Sequence, residues 1–481
     1  MLSAVSAFNL PRALPGSRPL VAAGAAVLVA LVEVPHVVRD ALWQDEVASA
    51  RILQQPTLGD ALQRVHATES TPPLWYLVAW SAHHAGLPIT EVRLLSLVFM
   101  SLTAALVVVL AHRLVPLPLA GLAGVLIALG AQFTFHGHEL RAYALLTLLA
   151  VAFALLLMSL VIHPSLRGEV ALTVCTAAGV LTHYFFWLTL LAGAVWLWLD
   201  PQARAVRRRA SLAIAVGAAA FLPFVALAHS QYRQDRFWWI GPFAFRRVVT
   251  TPFRLFALPA HGVAPPVFFA TMVLAGLLCF RSWSGRCNIA LAFGPLLLAG
   301  LVWGLGIKVF SIRNLIECGP FFAIMIVTAI NVAPGRTRIA LALATTAVAL
   351  YGYLWSARAT PVPFDRIASA LVTEGWHPDD PVALFGSFFD FRSPLEWYLP
   401  THPPLGLAEP TSSRCPNLYV IGRRAGRYFV ERLHPLMATD RIRSLRNAVF
   451  LSDPLHGGCV RSVKEGLFSA YPFAQFSSGL Q

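Results

Sequence analysis

Charge is what this sequence has least of. Only 12% of its 481 residues are Asp, Glu, Lys or Arg, about half the share of a soluble globular protein. Hydrophobic residues make up 57%, and the mean hydropathy is +0.65. With repeated apolar runs of about 20 residues, the deficit excludes a soluble globular chain and predicts a polytopic α-helical membrane protein. Metal-ligand spacings are missing too: no CxxC or HExxH occurs, which excludes the sites those patterns announce. No glycine-rich phosphate loop follows either apolar strand of the C-terminal region, which excludes nucleotide binding there. Internal repeats and low-complexity segments are absent as well. The formal charge of +14 is no sign of nucleic acid, because much of it lies in short turns between apolar runs.

Eleven spans follow from those runs, at 19–38, 91–112, 116–135, 142–162, 168–183, 185–199, 210–228, 265–280, 289–307, 314–333 and 338–355. Alternate connections carry Arg12 and Arg18; Arg113; Arg167; Arg204, Arg207, Arg208 and Arg209; Arg281 and Arg286; Arg336 and Arg338. The positive-inside rule makes these cytoplasmic. The opposite connections and the tail after Trp355 are then extracytoplasmic. The first run is too long, and lacks the small-residue site, for a cleaved signal peptide. Pro72–Trp80 is too short to cross, and counting it as a span would invert every later loop. It reads as an amphipathic helix in the outer interface, with Trp75, Tyr76 and Trp80 at headgroup depth. Two outer loops stand out by length, 39–90 and 229–264, and long ordered loops tend to be functional.

The chain divides into a membrane module, 1–355, and an extracytoplasmic tail, 356–481, with more charge and proline. In the tail, Phe364–Glu374, Ser393–Leu399 and Arg427–Leu436 read as helices, and Val382–Phe385 and Leu418–Ile421 as strands. That alternation predicts a small α/β domain. Cys175, Cys279, Cys287 and Cys318 are small hydrophobes of the spans. Cys415 and Cys459 fall in an oxidising compartment, either as a disulfide or as two thiols.

Candidate chemistry gathers in the outer connections. Asp45 and Glu46 follow the first span as an adjacent acidic pair. They read either as a general base or divalent-cation site, or as the first turn of a helix, where acids are favoured without any catalytic role. Later in the same loop come His66, Glu69, Thr71 and Tyr76. The segment His136-Gly137-His138-Glu139-Leu140-Arg141-Ala142-Tyr143 faces the same side. Its Glu139, Arg141 and two imidazoles, His136 and His138, could complete an acid and phosphate site; alternatively the arginine and tyrosine are interface anchors and the histidines, His136 above all, are solvated. Lys308 and Arg313 end the ninth span; arginine binds phosphate bidentately, and snorkelling to headgroups is the plainer reading. His183, Tyr184 and the basic, aromatic stretch His229–Trp239 are candidates for an acceptor cleft, or for an interface belt.

Taken in order, these elements resemble the C-type (GT-C) glycosyltransferases. They are W-x-D-E after the first span, T-P-P-L-x-Y in a surface helix, E-x-R-x-Y after the third span, H-Y after the fifth and a late F-S-x-R. The bacterial protein mannosyltransferase-like and lipid A aminoarabinose transferase-like enzymes are the most similar. The resemblance covers nearly the whole membrane module. It implies a polyprenyl-phosphate-linked sugar donor, inversion at the anomeric carbon, and a lipid, glycan or protein acceptor. It also implies Asp45 as general base supported by Glu46, Glu139 as second acid, and Arg313 as donor-phosphate ligand. Lys308, Arg141, His66, Glu69, Tyr76, His138, His183 and Tyr184 complete the expected substrate site. A divalent metal cation on Asp45 or Glu139 is left open. The aminoarabinose transferases carry lysine where this chain has Thr71, which leaves the donor sugar open as well.

A lipid or sugar transporter is the competing reading from another class. It calls for acids and arginines along a path inside the spans, whereas here most charges lie in the outer connections and no repeated half is visible.

Overall fold

The computed structural model describes residues 17–233, 240–256, 264–358, 363–373, 382–383, 394–399, 418–424 and 427–433. Trp238, Trp239, Cys415 and Cys459 lie outside them. The chain divides into two compact units, one of residues up to 38 with 52–359, the other of 39–51 with the residues from 360 onward. The second unit is therefore discontinuous in sequence, and it includes Asp45 and Glu46.

The helices in chain order are α1 (Ser17–Arg39), α2 (Gln44–Leu53), α3 (Leu58–Thr68), α4 (Leu74–His84), α5 (Arg93–Ala111), α6 (Leu117–Leu129), α7 (Ala131–Gly137), α8 (Tyr143–Ile162), α9 (Leu166–Thr182), α10 (Phe186–Leu199), α11 (Arg207–Ala219), α12 (Val225–Arg233), α13 (Phe245–Phe256), α14 (Ala264–Cys279), α15 (Trp283–Gly304), α16 (Gly319–Val332), α17 (Gly335–Arg358) and α18 (Phe364–Thr373). Helices dominate because apolar runs of this length must satisfy their backbone groups within the segment once water is absent.

Among the described residues, seven helical segments are long and apolar enough to cross a membrane. They are Ser17–Arg39, Ile89–Ala111, Tyr143–Ile162, Arg207–Arg233, Trp283–Gly304, Arg313–Val332 and Gly335–Leu354. The expected span at 116–135 is α6 and α7 together, bent by 62°. The expected spans at 168–183, 185–199 and 265–280 are α9, α10 and α14, of 17, 14 and 16 residues. At about 1.5 Å per residue these reach roughly 21–26 Å, less than the hydrocarbon thickness of about 30 Å.

The bend between α6 and α7 has a local cause. Gly130 leaves the helical region, with ψ of 131°. A Cβ there would sit 2.6 Å from the Phe133 ring and 2.8 Å from the Leu126 carbonyl oxygen. Glycine alone fits, and the turn it permits redirects His136, His138 and Glu139. Close approach also joins α9 to α11, where a Cβ on Gly217 would lie 2.4 Å from the Thr173 carbonyl; small residues at such crossings let apolar helices pack without a hydrophobic driving force. At the end of α10, Asp200 accepts two hydrogen bonds from Arg286 of α15, at 2.7 and 3.2 Å, and one from Trp196. Burial alone would raise this carboxyl's pKa; hydrogen bonds from Arg286 and the Gln202 N–H hold it below its ordinary value.

The surface-helix expectation needs correction. Helix α4 does exist over Leu74–His84, but Trp75 and Tyr76 are buried inside the protein. Only Trp80 is partly exposed, with its indole N–H donating to the Gln55 carbonyl. The sequence pattern missed this because α4 has a polar partner waiting for the Tyr76 hydroxyl.

In the second unit, α18 and the helical residues 394–398 lie where helices were expected. Strands β1 (Val382–Ala383), β2 (Leu418–Arg424) and β3 (Arg427–Leu433) form one sheet in the order β1-β2-β3. β1 pairs with β2 in parallel, and β2 with β3 antiparallel, from Leu418 opposite Leu433 to Arg424 opposite Arg427. The helix expected at Arg427–Leu436 is thus a strand over Arg427–Leu433. Its Tyr428-Phe429-Val430 run favours a pleated strand, and Ala425-Gly426 leaves only two residues between partners.

Gly130→Val should lower the apparent melting temperature in detergent by several degrees, reflecting about 1–3 kcal/mol of overpacking. Gly24→Ala, a position with open space around it, should not. Equal melting curves for the two variants would show that the bend tolerates a side chain.

Candidate active site

The site grows from an ion pair. Arg141, in the turn between α7 and α8, donates to Glu69 Oε2 at 2.9 Å, and the two side chains are 10% and 4% exposed. The Tyr76 hydroxyl donates to the same carboxylate oxygen at 2.7 Å, and Thr71 Oγ1 lies 3.2 Å from that hydroxyl. Pro72 and Pro73 fix the chain between these groups and end at the first turn of α4, so one short segment supplies Glu69, Thr71 and Tyr76. Burial raises the pKa of the Tyr76 phenol well above its ordinary value, against the opposing charge of Arg141. It is a fixed hydrogen-bond donor.

The second element is the turn after the bent helix. His136 and Glu139 are both buried, and His136 Nδ1 contacts Glu139 Oε2. Ser96 of α5 donates to the Glu139 carbonyl at 2.6 Å, which holds the turn. The Tyr143 ring stands 4.5 Å from that of His136 and 5.6 Å from that of His183. His183 follows the end of α9, where its Nδ1 accepts the Phe185 N–H at 3.2 Å. Burial, with the charges of Arg141 and Arg313 adding, lowers the His183 pKa to about 3. Those two cations therefore share one neutral imidazole as a neighbour. His138, stacked on His36 at 4.9 Å, is held well below its ordinary value by burial first, then by His36 and Arg93.

Of the residues expected from sequence, Glu69, Tyr76, Arg141, Glu139, His183 and Arg313 belong to this neighbourhood. His66 and Tyr184 turn instead to α12, where His66 Nε2 meets Ser230 Oγ at 3.0 Å and the Tyr184 hydroxyl donates to Gln231 at 2.6 Å. Lys308 is exposed in the loop after Gly306, whose φ is +93°. Asp45 and Glu46 lie in the second unit, in the first turn of α2. Glu46 is 1% exposed and its Oε2 accepts the Trp43 N–H at 3.2 Å, the reach-back of a capping box. Both acids thus sit at a helix start, and Glu46 also caps it.

Sequence reading set His136 aside as solvated, and it is buried; its i, i+3 spacing to Glu139 was the available signal. It also missed two acids buried in span segments. Glu33 of α1 and Glu317, in the turn before α16, are each 0% exposed, and no carboxylate oxygen of either has a hydrogen-bond partner among the described residues. Gly137 makes room for the first: a Cβ there would lie 2.2 Å from the Glu33 oxygens. Toward a divalent cation, Glu139 offers one buried oxygen, Oε1, without a partner among the described residues. Magnesium commonly uses one or two carboxylates beside substrate phosphates and water.

Removing Arg141 leaves the Glu69 carboxylate buried without its cation, so Arg141→Met should destabilise the chain by about 3–5 kcal/mol. Glu69→Gln/Arg141→Met should recover part of that loss, and additive effects would mean that the pair is not coupled. The histidines give a pH signature. The unfolded chain takes up protons through about pH 6.5, while folded His138 and His183 stay neutral to lower pH. Stability should therefore fall as pH drops below about 6.5, and His183→Gln should flatten that slope in thermal melts from pH 8 to 5.

No protein-family model matches the chain, and no curated protein matches it significantly. Solved structures do. Oligosaccharyltransferase AglB of Archaeoglobus fulgidus, in complex with an inhibitory peptide and a dolichol-phosphate, matches over 81% of this chain and 64% of its own, at 12% identity and a TM-score of 0.51. The same enzyme in its apo form matches over 82% and 61%, at 13% identity and a TM-score of 0.50. This chain thus spans less than two thirds of AglB. ArnT of Cupriavidus metallidurans bound to undecaprenyl phosphate matches over 80% of this chain and 86% of its own, at 14% identity and a TM-score of 0.48. Over about four fifths of its length, this chain shares the fold of the oligosaccharyltransferase AglB.

Proposed function

We propose that this protein is an inverting glycosyltransferase that moves a sugar from a polyprenyl-phosphate donor to an acceptor hydroxyl at the outer face of a bacterial inner membrane. The observation that carries the proposal is the shared neighbourhood of Arg141 and Arg313 at His183, beside the buried Glu69–Tyr76 network. It occurs in a fold shared with an oligosaccharyltransferase solved with dolichol-phosphate.

In this reading Arg313, with Lys308 and Arg141, neutralises the donor phosphate. Asp45 takes the proton of the acceptor hydroxyl as its oxygen bonds to the anomeric carbon and the carbon–phosphate oxygen bond breaks. The lipid phosphate departs as a stable anion and needs no protonating acid, so cations aimed at it supply much of the transition-state stabilisation. Glu139 acts as second acid, its geometry held by His136 and Ser96. A divalent cation held by Glu139 or Asp45 would add charge neutralisation at that phosphate. The acceptor is a lipid, glycan or protein hydroxyl, approached by His66 and Tyr184, which are held by Ser230 and Gln231 of α12.

Asp45→Asn should reduce transfer by about 10²–10⁴-fold, the usual worth of a positioned base, with melting temperature and donor binding near those of the wild type. Near-normal turnover would remove Asp45 as base. A transporter is the second reading, because Glu33 and Glu317 are acids buried within span segments. Proteoliposomes loaded with radiolabelled polyprenyl-phosphate sugar separate the two: labelled product supports transfer, whereas flux of the intact lipid without product overturns it.

A further inference from the structure

We infer that a groove between α8 and α9 is a binding site for one acyl chain of an anionic phospholipid, whose headgroup lies at Arg167. The groove has a volume of about 620 Å³. Leu149 and Ala152 of α8 form one wall, and Arg167, Val170, Ala171 and Val174 of α9 are among the residues of the other, which runs on to Ala178. Except for Arg167, its lining is apolar. Small residues make the depression: Ala152, Ala171 and Ala178 leave space that larger side chains at these positions would fill.

Its length and its charge identify the occupant. From Leu166 to Ala178 the wall advances twelve residues along α9, about 18 Å at 1.5 Å per residue. One leaflet of hydrocarbon is about 15 Å deep, half the thickness of the core. The groove therefore begins at the end of α9 and runs the depth of a single lipid tail. Leu166, Val170 and Val174 on this helix are exposed, as befits a surface that faces hydrocarbon. Arg167 stands at the groove's end, exposed, and neither a hydrogen bond nor an ion pair engages it among the described residues. By contrast, Arg209 nearby in the fold is bound to Glu169 at 2.8 Å. A shallow apolar trough, open along its side, with one unengaged guanidinium at its end matches a lipid tail lying beneath a phosphate, the geometry in which an arginine snorkels to headgroup depth. On the topology proposed from the arginine pattern, this end of α9 is cytoplasmic.

The site is separate from the proposed active site in sequence and in chemistry. It nevertheless touches the same two helices: α8 opens on Tyr143, and α9 closes just before His183, whose rings lie 5.6 Å apart. A lipid wedged along α8 and α9 braces the pair that carries those rings.

Native mass spectrometry of the full chain, purified in detergent and titrated with dioleoyl phosphatidylglycerol or dioleoyl phosphatidylcholine, tests the site. The wild type should retain the anionic lipid about fivefold better, the worth of one arginine at an anionic surface. Arg167→Gln should abolish that preference. Ala171→Trp, which fills the slot, should lose one bound lipid of either kind. Leu212→Trp, on an exposed part of α11, should behave as the wild type. Retention of wild-type selectivity by Arg167→Gln overturns the site, and so does a wild type that holds both lipids equally. If Ala171→Trp fails to fold, Arg167→Gln, an exposed change, decides alone. Because the readout is bound lipid and not transfer, its failure is distinct from failure of the proposed enzyme.

Discussion

The Glu69–Arg141 pair is the interaction on which the rest of the candidate site depends. Burying two charges costs several kcal/mol per ion before their attraction is counted. The structure offsets this by adding the Tyr76 hydroxyl to the same carboxylate oxygen that Arg141 engages. The pair joins the segment before α4 to the turn before α8, and those two pieces carry most of the residues with chemical potential. Burial keeps the His183 imidazole neutral, and the anchored charge of Arg141 adds to that effect together with Arg313. A carboxylate partner on one side holds the arginine in position before any ligand arrives.

A second constraint is the break at Gly130. A straight helix through 117–137 would carry His136 onward along the span axis. The 62° bend instead turns one short helix aside and lets Glu139 fold back on His136. The placement of the histidines, the acid and the arginine of this segment is therefore a product of backbone geometry at Gly130, six to eleven residues upstream.

Much of this was legible in the sequence, for physical reasons. Lack of charge revealed the membrane module, and polar residues between apolar runs stood out against it, so Glu69, Tyr76, Glu139, Arg141, His183 and Arg313 were all singled out. What stayed hidden depends on averaging or on partners distant in sequence. Glu33 and Glu317 disappear into runs whose mean hydropathy is high. Trp75 and Tyr76 look like interface aromatics until the Glu69 carboxylate is placed opposite the tyrosine. Glu46 satisfies both a catalytic and a capping pattern, and its bond to the Trp43 N–H becomes visible only in the structure. Arg427–Leu433 has too few residues for period 2 and period 3.6 to be told apart, so its pairing with β2 decides.

The discontinuity of the second unit bears on how the chain matures. Residues 39–51 are held by groups synthesised far later: the Leu42 N–H donates to the Tyr398 hydroxyl at 2.8 Å, and Arg51 pairs with Glu396 at 3.2 Å, sequence separations of 356 and 345. At the ribosome's pace of about 5–20 residues per second, the segment bearing Asp45 waits tens of seconds for its partners. The first membrane helix can insert long before then, but the loop beside it reaches its final packing only once residue 398 has been made. Premature termination before residue 396 would leave an inserted bundle whose segment 39–51 lacks both of these partners, so a late part of the chain acts as a check on its beginning.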